Sequence, residues 1–185
     1  MSLLKRNVLV LTLFLAGGLT CTSVAKSELA NAEAANLPGH DIKPAMGKPV
    51  AVTAGTISAD GSGLPQGSGT AGAGKTVYES RCAACHGIDG LQPGNQLVGG
   101  IGSLATNRPV KTVGSFWPYA TTLFDYIARA MPYNEQKSLS ADDTYAVTAY
   151  VLMLNGILDD EAVLNEKNLH TVSMPNRSGF VELVH

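Results

Sequence analysis

Two thiols three positions apart with an imidazole directly after them, Cys82-Ala83-Ala84-Cys85-His86, carry the most specific chemistry in this 185-residue chain. One helical turn can present both sulfurs to the edge of a porphyrin, where each adds across a vinyl group, while the adjacent His86 swings beneath to ligate iron. That is the C-x-x-C-H pattern of c-type haem attachment. Two other readings compete with it. A zinc site needs two further thiolate or imidazole ligands at suitable spacing, and the remaining cysteine, Cys21, lies in a segment resembling a secretion signal. A thioredoxin-like dithiol belongs in a βαβ setting rich in β-branched strands, and the sequence shows none. The expectation is therefore haem bound through Cys82 and Cys85, with His86 on the iron.

The elements that must hold this motif are legible from periodicity. Gly74, Tyr78 and Cys82 recur every four residues, which stacks them along one helical face, and a glycine there lets a second helix approach closely. That partner has its own signature. Ser140-Ala141-Asp142-Asp143 has the form of a helix start, with a hydroxyl to cap free amides and acids near the positive end of the dipole. Val147, Tyr150, Val151 and Leu154 follow at helical spacing and Gly156 ends the run, predicting an amphipathic helix of about four turns. Between the two, Leu123, Phe124, Ile127 and Met131 mark a third helix starting near Tyr119 and stopped by Pro132.

The rest of the chain bounds compartment and partners. Lys5 and Arg6 precede an uncharged run of 18 residues, 8–25, with a Gly17-Gly18 break and small residues at Ser23 and Ala25, so residues 1–25 read as a signal peptide cleaved after Ala25. The alternatives are an uncleaved membrane anchor, marginal in length, and a lipid-bearing Cys21, which Thr20 and Leu19 fit poorly. Cleavage leaves 11 basic and 15 acidic residues, a formal charge of −4, with no basic footprint for nucleic acid and no polybasic membrane patch. The chain is expected in the periplasm without stable membrane insertion. Residues 26–69 read as an irregular leader, because residues 58–74 hold six glycines without sustained periodicity.

Taken together, these motifs resemble the single-haem class I c-type cytochromes. The Gly74, Tyr78, Cys82 ladder looks like their first helix, packed against an aromatic of the last helix, here Tyr150. The resemblance covers roughly residues 70–157 and implies an all-α class I cytochrome c fold around one covalently bound haem c, with irregular N- and C-terminal extensions, the latter at 158–185. It implies a methionine as second axial ligand, in the loop between the third and last helices, where Met131-Pro132 stands. Met174-Pro175 is the rival pair, after the last helix; Met153 looks like packing, and Met46, His40, His170 and His185 have less to recommend them. A thioether ligand raises the reduction potential. In the family a backbone carbonyl near a proline holds the other nitrogen of the proximal histidine. Pro93-Gly94-Asn95-Gln96-Leu97 resembles that loop, but Pro93 stands two places too early, which leaves the carbonyl unassigned. Arg108, Trp117 and Tyr119 are candidates to bond haem propionates, Trp117 equally to pack on the haem edge.

A narrower likeness extends beyond this fold. Ser58-Ala59-Asp60-Gly61-Ser62-Gly63-Leu64-Pro65, Gly114-Ser115-Phe116-Trp117-Pro118-Tyr119, residues 125–132 and Met174-Pro175-Asn176-Arg177 resemble the cytochrome subunits of bacterial sulfite and sulfane (sulfur-compound) dehydrogenases. The likeness implies an electron-transfer protein rather than an enzyme, taking electrons from a molybdenum subunit and passing them to the respiratory chain. Some members carry two haems; this chain has one C-x-x-C-H. The alternatives are a free-standing shuttle and a haem enzyme or sensor with an open iron position, which Met131 opposes. Asp159-Asp160-Glu161 is an acidic cluster that either steers a basic partner or is simply solvated.

Overall fold

The computed structural model describes residues 56–180, and the expected signal segment, most of the leader, His40, Met46 and His185 lie outside them. A short strand β1 (Ser68–Thr70) leads into helix α1 (Ala71–Arg81) and the single turn α2 (Ala83–His86). A long loop with one 3-10 turn follows, then helices α3 (Ala120–Ala130) and α4 (Ala141–Leu154), strand β2 (Val163–Asn165) and a final 3-10 turn, Leu169–Thr171.

Each helix starts where its capping chemistry allows. The Thr70 hydroxyl accepts from the Ala73 amide at 3.1 Å to open α1. At α4 the cap is reciprocal: Ser140 Oγ accepts from the Asp143 amide at 3.0 Å and the Asp143 carboxylate accepts from the Ser140 amide at 3.4 Å. α3 stops at Met131, whose backbone is already extended (φ −118°, ψ 147°), because the residue before a proline is driven out of the helical region.

α1 and α4 cross at their glycine. A Cβ on Gly74 would collide with the Ala146 backbone and meet Tyr150, so only glycine allows the approach that brings the Tyr78 and Tyr150 rings to a centroid distance of 5.2 Å. α4 is not the half-exposed amphipathic helix its apolar spacing predicts; every residue from Thr144 to Leu152 is buried. Periodicity misled because its polar face is threonine. Thr144 and Thr148 donate back to the Ser140 and Thr144 carbonyls at 2.7 and 2.6 Å, which lets those hydroxyls enter the core.

The elements outside the expected cytochrome segment explain that burial. β1 pairs antiparallel with β2, Gly69 opposite Leu164, and Gly69 lies so close on α4 that a side chain there would strike the Ala146 backbone. Leu164, Leu169, Val172 and Met174 all enter the core. The C-terminal segment is therefore a structural layer and not an irregular appendage, and the leader's last residues form its partner strand. An expectation built on helical periodicity has no means of seeing two three-residue strands.

Candidate functional site

Cys82, Cys85 and His86 share one turn. Cys82 both ends α1, its amide bonding the Tyr78 carbonyl at 2.8 Å, and begins α2, its own carbonyl accepting from the Cys85 and His86 amides at 3.1 Å each. Both cysteines are free thiols, Cys82 partly buried and Cys85 exposed. Burial pushes the Cys82 thiol up to about 11, with the neighbouring Arg81 charge pulling the other way. Gly87, at φ +78°, turns the chain away after the histidine, and its carbonyl accepts from the Tyr78 hydroxyl at 2.8 Å. The ladder residue Tyr78 thus fixes the exit of the motif as well as the helix contact.

The orientation of His86 follows from one bond. Its Nδ1 lies 2.7 Å from the Asn95 carbonyl oxygen, and a carbonyl can only accept, so Nδ1 carries the proton and Nε2 keeps its lone pair. This resolves the displaced proline: the carbonyl belongs to Asn95, two places before Leu97, and Pro93 takes no part in the bond. The loop is held there by its own backbone. Gln92 bonds back to the His86 carbonyl at 3.0 Å, and Leu97 and Val98 both bond the Gly90 carbonyl, at 2.8 and 3.2 Å. A buried side chain closes it. Asn155, at the C-cap of α4, donates to the Leu97 and Val151 carbonyls at 3.1 and 2.9 Å and accepts from the Gly99 amide at 3.2 Å. Sequence reading missed Asn155, whose only signal was its place before Gly156 at a helix end.

Met131 opens the other loop, 131–139. It is partly buried against the core, its amide bonds the Ile127 carbonyl at 3.1 Å, and its peptide bond to Pro132 is cis. Turns close from Pro132 to Glu135 (2.9 Å) and from Glu135 to Ser138 (3.2 Å), and Leu139 enters the core at the far end. Arg81, the residue before Cys82, reaches across to this loop and bonds Ser138 Oγ at 2.7 Å and Glu135 Oε2 at 2.8 Å. The segment after Met131 is thereby tied to the start of the cysteine motif. The rival Met174 is 3% exposed inside the core formed by the C-terminal layer, and Met153 is partly buried on α4.

The remaining candidates scatter. Trp117 stacks edge-on with Tyr126 at 5.6 Å, and Tyr119 lies under the Arg177 guanidinium at 5.1 Å. Arg108 is on an exposed loop, and His170 sits beside Gly61, its Nδ1 buried with no hydrogen-bond partner among the described residues. Among the described residues no group of three or more His, Cys, Asp or Glu side chains is placed to hold a metal ion, and no helix is long and apolar enough to cross a membrane. The donor set suits haem: two unpaired thiols on one turn and an imidazole whose free nitrogen is defined by the Asn95 bond; Leu97, Trp117 and Met131 are half-buried against the core.

Comparison with known proteins agrees with this geometry. Residues 71–155 match the family model for cytochrome c. This stretch therefore resembles a cytochrome c domain, a class that implies covalently bound haem c. Within that class it resembles a subunit of a sulfur-compound dehydrogenase. The crystal structure of the sulfane dehydrogenase SoxCD from Paracoccus pantotrophus matches at 44% identity and a TM-score of 0.66, covering 68% of this chain and 63% of that one. The chain thus spans a little under two thirds of the SoxCD chain it matches. No curated protein matches it.

Proposed function

We propose that this protein is a periplasmic mono-haem cytochrome that accepts electrons from a molybdenum-containing sulfur-compound dehydrogenase and passes them to the respiratory chain. The observation that carries the haem reading is the 2.7 Å bond from His86 Nδ1 to the Asn95 carbonyl, which leaves Nε2 as the donor beside both thiols. The likeness to the sulfane dehydrogenase SoxCD supports the choice of partner.

In this reading Cys82 and Cys85 would hold the porphyrin as thioethers, and His86, through Nε2, and Met131 would hold its iron. Bound haem would supply the one-electron couple, with a potential raised by the methionine. The protein's part is to keep both ligands in place in either oxidation state. The Asn95 carbonyl holds the imidazole plane, the Tyr78 hydroxyl holds the turn after it, and buried α4 gives both a rigid back wall. Little then moves when the charge on iron changes.

Gentle affinity purification from the native periplasm, with haem and molybdenum determined together, tests the reading. One haem per chain with about one molybdenum per haem is the expected result. A haem protein recovered alone and free of molybdenum would leave the free-standing shuttle as the function, and a chain without haem would sink the motif reading altogether.

A further inference from the structure

We infer that Arg81 is a positioning residue for the axial methionine: its guanidinium holds the loop that carries Met131 closed over the site, an inference that rests on the ligation of iron by Met131 proposed above. Arg81 ends α1 beside Cys82, and its side chain is 11% exposed although it carries a full charge. A charge so enclosed needs partners. It finds two on one loop more than fifty residues away, Glu135 and Ser138, bonded at 2.8 and 2.7 Å by the same nitrogen.

That loop needs the tie. Its ends are anchored, at Met131 by α3 and at Leu139 by the core, but its middle carries Tyr133 at 81% exposure and Glu135 at 51%. Lys137, between the two Arg81 partners, sits at φ +61°, a left-handed conformation that a residue with a Cβ adopts at a cost on the order of 1 kcal/mol. Two main-chain turns order the middle of the segment, and among the described residues its side-chain tie to the rest of the domain is the Arg81 guanidinium. A methionine thioether is a weak ligand, so its occupancy of iron depends on how little the closed loop costs. Weakening the tie raises the population of the open form, and the apparent affinity for an outside ligand rises in proportion.

The test is imidazole binding to the ferric holoprotein, titrated by absorbance, with the reduction potential measured on the same samples. Arg81→Gln should raise the apparent imidazole affinity about tenfold, equivalent to about 1.4 kcal/mol of loop closure. Arg81→Lys, which keeps the charge on Glu135 but not the planar fork, should fall between. Because Arg81 adjoins Cys82, Glu135→Gln and Ser138→Ala provide variants that leave the attachment motif untouched, and each should move affinity the same way by a smaller factor. Imidazole affinity and potential unchanged in these variants, while Met131→Ala binds imidazole readily, would overturn the role of Arg81 alone. An unresponsive Met131→Ala would overturn the ligation by Met131 and this inference with it.

Discussion

The loop after His86 and the loop after Met131 are built by opposite means. The loop after His86, residues 87–99, is woven from main-chain bonds to His86 and Gly90 and pinned by the buried amide of Asn155. The loop after Met131 has two turns in its middle, one strained lysine, and a cross-tie from a charged side chain to partly exposed partners. A main-chain loop with a buried staple opens only when the surrounding core opens, whereas a side-chain tie can be lost without unfolding the domain. The histidine side is therefore expected to behave as part of the fold and the methionine side as an adjustable closure.

The sharpest test of that contrast is the pair of ligand variants. His86→Ala should give little or no holoprotein, read as haem bound per polypeptide after export, and normal yields would refute the attachment motif. Met131→Ala should keep its haem, bind carbon monoxide when reduced and show a lower potential; an unchanged spectrum and potential would remove Met131 from the iron. Asn155→Ala comes next. It strands the Gly99 amide and removes one of the two donors to the Leu97 carbonyl, which keeps the Val113 amide at 3.2 Å, and should cost about 1 to 3 kcal/mol in denaturant unfolding; a loss below about 0.5 kcal/mol would show that the proximal loop does not depend on its staple. Lys137→Gly should have the smallest effect, stabilising by about 0.5 kcal/mol as relief of the left-handed conformation outweighs the added chain entropy. Destabilisation by that variant would mean the lysine side chain, and not its backbone, serves the loop.

Much of the site could be read before the structure, and what escaped has a common cause. The cysteine turn, the Gly74–Tyr78 face and its contact with Tyr150 are local periodicities or repeat a helix pairing that requires a glycine. α3 ended at Met131 because Pro132 forbids continuation there. Asn95 escaped because a carbonyl belongs to every residue, so only the path of the loop decides which oxygen meets His86. Asn155 and Arg81 escaped because both act across gaps of more than fifty residues. α4 looked amphipathic because threonine counts as polar until its hydroxyl is seen to be spent on its own helix.

What the sequence alone determined is the chemistry within one helical turn: two thiols and an imidazole at covalent spacing, a glycine face beside them, and a methionine set before a proline. Spacing along a helix is a property of neighbours, and neighbours are written in order. Which carbonyl orients the imidazole, which amide pins its loop, which guanidinium bonds the methionine loop and which strands cover α4 were decided only by the tertiary structure. Those contacts join residues whose proximity is set by packing, and packing is the joint outcome of the whole core.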